Sequence, residues 1–316
     1  MTASKSLVAV AVASATLSAS ALAADYSIYG KAEVQIANTD KGVMRYTKEG
    51  TQIDAPFSRI GVKGTHGLSS DLKLVYKYEV QVKGFEHDDT TEPFSARNTY
   101  VGLEGKFGTV LVGRNDTRFK FSEGKIDQFN ETQSDIAQVL AGQDRVGDSI
   151  TYSSPKWNDF SFSLTYTPKD DASNDETGFA ATAIYGDRAL KSKDYYVALS
   201  HTDSIGNLVA TRIAVAYKWQ KLQLGAIIQD SENLAKDKSG NGYVLSASYQ
   251  LDDNWRPKLQ FAKDSSGLRH SEDATQWTLG TDYIFDKQTN LYVMATQLDL
   301  ETQDDTSIAV GLKYKF

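Results

Sequence analysis

The chain of 316 residues carries 41 acidic and 34 basic side chains, a formal net charge of −7, and no cysteine. The missing cysteines exclude a disulfide framework and a thiolate metal site, and the acidic balance argues against binding to nucleic acid. No run of 18 apolar residues occurs, so a transmembrane helix is excluded. This criterion does not detect membrane-spanning β-strands, because only alternate residues of such a strand are apolar.

Residues 1–23 have the pattern of a secretory leader. Lys5 supplies a positive charge, residues 7–17 form a short run rich in alanine and valine, and the Ala-Leu-Ala sequence at 21–23 is a cleavage site. A buried N-terminal helix is the alternative, but the strand pattern that follows directly favours the leader. We expect a mature chain that starts at Ala24, whose formal charge falls from −7 to −8 because Lys5 is lost.

After the leader the chain divides repeatedly into segments in which apolar and polar residues alternate. In residues 72–83, Tyr76 and Val80 share one face while Lys77 and Gln81 share the other. A period of two predicts a strand, and this length suffices for a tilted strand to cross a bilayer. Sixteen strands are predicted in this way: 26–36, 58–66, 72–83, 97–106, 109–115, 148–154, 160–168, 177–186, 194–202, 209–219, 222–230, 242–251, 257–264, 274–285, 291–300 and 306–316.

The connections between these strands alternate in length. Short turns such as 67–70 and 107–108 alternate with longer, acidic loops such as 84–94 and 231–241, a pattern typical of outer-membrane barrels. The five prolines lie in connections or at strand ends, where a missing N–H group is tolerated. Aromatic residues suited to a membrane–water interface recur near the short turns: Phe107, Trp157, Phe160, Trp219, Trp255, Phe285 and Phe316.

An exported chain of sixteen strands could also form a soluble sandwich or a β-helix, in which the apolar face turns toward a protein core. Here the apolar face recurs on almost every strand, and the opposite face carries charged residues, glutamine, serine and glycine. A polar inner face would enclose water, so the apolar face must contact lipid. In lipid an unpaired backbone group is costly, so the sheet must close on itself and leave no open edge. The pattern predicts an all-β fold, a 16-stranded antiparallel transmembrane β-barrel.

One long stretch, residues 116–147, does not alternate. A loop of this length within a compact domain is usually functional or disordered. Its six sizeable apolar side chains argue against disorder. We predict that this loop folds into the lumen and narrows the pore. The apolar side chains are Phe119, Phe121, Phe129, Ile136, Val139 and Leu140.

The last predicted strand, 306–316, alternates apolar and polar residues and ends at Phe316. This ending resembles the C-terminal sorting signal of bacterial outer-membrane barrels. The resemblance implies that the barrel-assembly machinery recognises the strand that ends in Phe316.

Several sequence blocks resemble the general diffusion porins of Gram-negative bacteria. They are Ile-Tyr-Gly-Lys-Ala at 28–32, Ser-Arg-Ile-Gly-Val-Lys-Gly at 58–64, Tyr-Val-Gly-Leu-Glu-Gly-Lys-Phe-Gly at 100–108, Val-Gly-Arg at 112–114 and the final eight residues. The resemblance covers the whole mature chain. It implies a homotrimer in the outer membrane, in contact with lipid and lipopolysaccharide, that lets small hydrophilic solutes and ions diffuse passively. It implies neither a cofactor nor an enzymatic activity.

In that family a third external loop faces a row of basic residues across the pore constriction. Carried over by motif, the basic wall would consist of Lys31, Arg59 and Arg114. Alternation independently places Lys31 and Arg59 on the lumen face. Arg114 shares its face with Val110 and Val112, which is acceptable if those valines pack under the inward loop.

The loop itself contains the sequence Ile-Asp-Gln-Phe-Asn at 126–130, which is similar to the acidic inner segment of the family. The resemblance therefore implies that Asp127 and Glu131 face the basic wall, with Asp116 and Asp135 as further candidates. Where many relatives have an arginine before a strand tyrosine, this chain has Thr151, which predicts a weaker basic wall.

Three other functions compete with a general pore. A substrate-selective channel that prefers sugars or anions remains open, and so do the preferred solute and the sign of ion selectivity. An adhesin is a further alternative. An outer-membrane barrel enzyme is disfavoured, because His66 and His201 fall on the apolar face, His87 and His270 lie in loops, and no serine beside them has the setting of a nucleophile.

Overall fold

The structure, a computed structural model, describes residues 25–55, 57–83, 92–169 and 176–316. The predicted leader lies outside these residues, as do Pro56 and His87 and most of the predicted loop 84–94. Within the described ranges, no helix is both long and apolar enough to span a membrane.

The described residues form seventeen strand segments joined in one antiparallel sheet. The strands are β1 Asp25–Thr39, β2 Gly50–Asp54, β3 Arg59–Ser69, β4 Leu72–Val82, β5 Phe94–Gly105, β6 Gly108–Asp116, β7 Arg145–Ser153, β8 Phe160–Thr167, β9 Gly178–Gly186, β10 Tyr195–Ile205, β11 Leu208–Trp219, β12 Leu222–Asn233, β13 Ser239–Tyr249, β14 Trp255–Asp264, β15 Ala274–Ile284, β16 Thr289–Leu300 and β17 Asp304–Lys315.

Strands β2 and β3 together occupy one position in the barrel. Both pair with β1: β2 aligns Asp54 with Gln35, and β3 aligns Arg59 with Lys31. Seventeen segments therefore make sixteen positions. The predicted strands 26–36 and 58–66 leave no strand between them, and this is wrong for β2, because a five-residue strand is too short to show a clear period in sequence.

The sheet closes where β1 meets β17, with Lys31 opposite Lys315 and Thr39 opposite Ser307. Gly30 and Phe316 extend this pairing through two backbone hydrogen bonds of 3.0 and 3.2 Å. A side chain at position 30 would not fit, because its Cβ would lie 2.3 Å from the Phe316 ring. The prediction of a closed 16-stranded antiparallel barrel is confirmed. The pairing of β1 with β17 leaves neither strand as a free edge, whose backbone groups would lack hydrogen-bond partners in lipid.

The outer face of the barrel is apolar, whereas the inner face is mostly polar or small and carries larger apolar residues where the long loop packs. On β11, Ile213 and Tyr217 point outward with 48% and 50% of their surface exposed, whereas Arg212 and Ala214, on either side of Ile213, are fully buried inside. The other strands repeat this arrangement. A water-soluble protein would do the reverse, so the exposed apolar band is a surface for lipid.

The long loop between β6 and β7 fills part of the lumen, as predicted. Its side chains Ile126, Ile136, Val139 and Leu140 are fully buried. They form a core with small and aliphatic residues of the inner wall, mostly on β9 to β14. Each fully buried aliphatic side chain stabilises by roughly 1.5–3 kcal/mol, so this packing holds the loop against the wall. The wall residues of this core are Ile184, Tyr196, Ala198, Ala214, Ala216, Ile227, Val244, Ala262, Ala274 and Leu298.

The two faces of β4 make the orientation testable. Tyr78 points outward and is 55% exposed, while Val75 lines the lumen beside Lys63. Arginine at position 78 must enter the apolar band, so Tyr78→Arg should lower the free energy of unfolding in lipid by roughly 2–4 kcal/mol. Val75→Arg introduces the same group into water and should cost far less. Urea unfolding in liposomes measures both, and equal losses would contradict the assigned faces.

Candidate pore constriction

The loop that enters the lumen has short ordered turns at both ends. Helix α1, Arg118–Phe121, starts at Thr117, whose hydroxyl accepts a hydrogen bond from the Lys120 N–H. A 3-10 turn, Ile136–Gln138, starts at Asp135, whose carboxylate caps the Ala137 N–H. Side chains that accept from free N–H groups stabilise such short turns, so the loop has a defined shape.

Polar side chains of the wall bind the backbone of this loop. Ser246 donates to the carbonyl of Ile126 at 2.6 Å, and Gln276 donates to the carbonyl of Ser134 at 2.8 Å. Gln260 accepts from the N–H of Gln128 at 2.9 Å. Buried backbone groups need such partners, so the glutamines and serines of the inner face replace water along the loop.

Arg212 makes a further buried attachment to the loop. It is 0% exposed, and its guanidinium donates to Gln229 at 2.8 Å and to the carbonyls of Phe119 and Ala141 at 3.4 and 3.3 Å. It also lies over the Phe119 ring at 4.2 Å. A buried charge is costly unless it is well hydrogen-bonded, so this arginine fixes both the start and the end of the loop.

Glu131, near the middle of the loop, reaches the opposite wall. Its carboxylate accepts hydrogen bonds from Lys31 at 3.1 Å, from Arg97 at 2.7 Å and from Arg59. We call Lys31, Arg59, Arg97 and Glu131 the bridge cluster. Burial alone would raise the pKa of the Glu131 carboxyl, but the charges of Lys31, Arg59 and Arg97 outweigh it and hold that pKa well below its usual range.

Wall carboxylates hold the cations of the bridge cluster in place. Glu33 accepts from Lys31 at 2.6 Å, and Glu79 accepts from Arg97 at 2.9 Å. Lys77 pairs with Glu79 at 3.2 Å, and the hydroxyl of Tyr29 donates to the same carboxylate at 2.8 Å. The cations of the bridge cluster therefore have partners on the barrel wall in addition to Glu131 of the loop.

The bridge cluster separates two water-accessible spaces in the lumen. The upper chamber, toward the long loops, has a volume of about 360 Å³ and is lined by residues such as Arg45 and Lys120. The lower chamber, toward the short turns, has about 530 Å³ and is lined by residues such as Lys125 and Lys315. Arg59, Asn130 and Glu131 line both chambers, so the two chambers meet at these residues.

Of the residues proposed from sequence, the structure brings Lys31, Arg59 and Glu131 together. Asp116 and Asp135 line the upper chamber beside them. Asp116 pairs with Arg145 at 2.9 Å. Asp135 accepts from the Glu131 N–H at 2.9 Å and so supports the loop turn.

Asp127 and Arg114 do not join the bridge cluster. The Asp127 carboxylate is buried and accepts from the N–H groups of Phe129 and Ile136 at 2.9 and 3.1 Å, which shapes the loop from within. Burial, reinforced by the charge of Asp135, raises the pKa of Asp127 well above its usual value. Arg114 lies two residues after Val112, whose side chain is 57% exposed on the outer face of the barrel. Within the described residues, Arg114 makes no ion pair.

Thr151, at the place of the family arginine, is also outside the bridge cluster. It faces inward on β7 opposite Leu111 and is 1% exposed. It lines neither chamber, and its hydroxyl lies buried without a hydrogen-bond partner among the described residues.

Arg97 is the member of the bridge cluster that sequence reasoning missed. Strict alternation along β5 places it on the outer face with Thr99 and Val101. A β-bulge changes this orientation. The pairing shifts between Tyr78 and Val80 of β4, so that two residues of β5, Arg97 and Asn98, lie opposite a single residue of β4, and Arg97 turns inward. An arginine on a lipid face is costly, so its presence in an outward position is the signal that could have revealed the bulge.

Comparison with known proteins gives consistent matches over most of the chain. A family model described as Gram-negative porin matches residues 8–303. Major outer membrane protein P.IB of Neisseria sicca is 26% identical, with 99% of each chain covered. Salmonella typhi OmpF in complex with daunomycin superposes with a TM-score of 0.77 at 19% identity, over 92% of this chain and 97% of that one. An anion-selective porin from Comamonas acidovorans gives 0.72 at 18% identity, over 93% and 100% of the two chains.

The attachment through Arg212 can be tested by Arg212→Met, which keeps the length of the side chain but removes its donors. The carbonyls of Phe119 and Ala141 lose a buried partner, at a cost of roughly 1–3 kcal/mol for each unsatisfied group. We expect a lower free energy of unfolding and noisier single-channel currents, because the loop is held less firmly. Lys218→Met, on an exposed part of the same strand, is the control. Quiet currents in the Arg212 variant would contradict this role.

Proposed function

This chain belongs to the family of Gram-negative porins, and we propose that its pore is a general diffusion channel that is narrowest at the bridge cluster. The protein forms a water-filled channel of the outer membrane through which small hydrophilic solutes diffuse. The observation that carries the proposal is the pair of chambers that meet at Arg59, Asn130 and Glu131. No energy coupling is needed, since solutes move down their gradient.

The proposed constriction has a basic wall of Lys31, Arg59 and Arg97, which the loop carboxylate of Glu131 faces. Opposed charges across a narrow aqueous gap produce a transverse field, which low-dielectric walls focus. Polar solutes reorient in such a field and pass, whereas an apolar solute must displace ordered water and gains nothing in return. The contacts of Asp127 support a role in folding the loop.

The charges of the chambers favour anions. The upper chamber is lined by seven lysines and arginines and five acids, and the lower chamber by seven lysines and arginines and three acids. A lumen with an excess of one sign raises the local concentration of the opposite ion. The second candidate function, a channel selective for anionic solutes, rests on this excess.

Assembly follows the family resemblance. We propose export through the leader at 1–23, insertion by the barrel-assembly machinery through the strand that ends in Phe316, and a homotrimer in contact with lipopolysaccharide. The pairing of Phe316 with Gly30 supports the second step, because the last residue takes part in closing the barrel. We propose no enzymatic activity; His201, for example, contacts Thr211 and Phe179 on the outer face, away from the lumen.

Ion selectivity tests the proposed wall. Purified protein in a planar membrane should give current steps, and a potassium chloride gradient gives a reversal potential that reports ion preference. Arg59→Gln removes a cation from the narrowest passage and should shift this potential toward cation preference. Arg114→Gln removes a cation outside the bridge cluster and is the matched control, for which we expect a much smaller shift.

Two results would count against the proposal. An absence of current steps from the native protein would refute a pore. An equal shift in the two arginine variants would remove Arg59 from the constriction, because a charge at the narrowest point must act more strongly than one outside it. Saturable block by a single solute class at low concentration would instead favour the selective channel.

A further inference from the structure

Glu131 presents a carboxylate to three cations that are already fixed on the wall. We propose that Lys31, Arg59 and Arg97 form a binding site for small carboxylate-bearing solutes, and that Glu131 occupies this site as an internal competitor. A passing carboxylate takes the place of the Glu131 side chain on the cations and then leaves when Glu131 returns. The inference rests on the proposed function as a pore.

The geometry around Glu131 is that of a bound carboxylate. One carboxylate oxygen, Oε1, accepts from Arg97 at 2.7 Å and from Arg59, and the other, Oε2, accepts from Lys31 at 3.1 Å. Both oxygens therefore have charged donors, as in the recognition of a carboxylate ligand. A solute carboxylate can use the same three donors without a change of the wall.

The cations keep their positions when Glu131 leaves. Lys31 is held by Glu33 at 2.6 Å, and Arg97 is held by Glu79 at 2.9 Å. Five cations surround these two wall carboxylates, the other three being Arg59, Lys77 and Lys313. Positive charge therefore remains in excess at the empty site, and its donors are preorganised, which reduces the cost of binding.

Glu131 can move while the rest of the loop stays in place. Its side chain is 24% exposed and borders both chambers, so a solute reaches it from either side. The neighbouring anchors Phe129 and Ile136 are 1% and 0% exposed and stay in the core. Rotation of one side chain about its own bonds is enough to open the site.

The backbone at Glu131 supports this interpretation. Its φ of 58° lies in the left-handed region, which residues other than glycine rarely adopt. The Asp135 carboxylate stabilises this conformation by accepting from the Glu131 N–H at 2.9 Å. The hydrogen-bonded turn at this residue directs the Glu131 carboxylate at the cations.

Block of the current by a simple carboxylate tests the proposal. In planar membranes, propionate is titrated against the full mature protein, and the half-blocking concentration is measured; propionamide, of the same size and uncharged, is the solute control. Glu131→Gln keeps the shape of the side chain but removes the competing charge. A tethered competitor acts at an effective concentration in the millimolar range or above, so we expect propionate to block at a concentration about 10-fold lower in this variant.

Two further variants separate site binding from general charge. Asp116→Asn also removes one negative charge from the upper chamber, but its carboxylate pairs with Arg145 outside the bridge cluster. It should change the half-blocking concentration much less than Glu131→Gln. Arg97→Gln removes a donor of the site and should raise that concentration for propionate and leave propionamide unaffected.

The possible outcomes are distinct. An unchanged half-blocking concentration in Glu131→Gln, or an equal change in Asp116→Asn, overturns the inference while the pore stands. An absence of current steps from the native protein overturns the proposed function, and this inference with it. Circular dichroism compares the folding of the variants, and the Arg97 variant tests the same site by an opposite shift.

Discussion

The packing of the long loop between β6 and β7 against one side of the inner wall determines where the pore runs. The inner wall of β9 to β14 carries alanines and aliphatic residues, among them Ala214, Ile227 and Val244, which leave room for the loop side chains and bury them. The opposite wall carries Lys31, Arg59 and Arg97 and keeps its contact with water. Because the loop packs on the half formed by β9 to β14, the water-accessible space beside its middle part is lined by the charged wall.

The electrostatics follow from this division. The basic residues are spaced along wall strands and fixed by Glu33 and Glu79, so their positions are set by the rigid barrel. Glu131 is set by the loop, whose position depends on its buried core and on Arg212. Barrel and loop meet in the bridge cluster, and a change in either one alters the charge where the two chambers meet.

Much of the fold could be predicted from the sequence, because apolar and polar residues alternate along a barrel strand and do not alternate along the long loop. The same reasoning placed Lys31 and Arg59 on the lumen face, since their strands keep a strict period of two. It failed where the period breaks: the bulge beside Arg97 moves that residue inward, and β2 is too short to show a period. Asp127 could not be separated from Glu131 by sequence, because the acids of one loop differ only in the direction that the folded backbone gives them.

A narrowing of the passage where Asn130 and Glu131 face the charged wall can be tested by chemical modification. The chain has no cysteine, so Asn130→Cys creates a single reactive site at a position that borders both chambers. The measurement is the single-channel current before and after a charged thiol reagent is added, from either side of the membrane. We expect a large fall in current from both sides, and complete modification with an unchanged current would contradict a constriction at this residue.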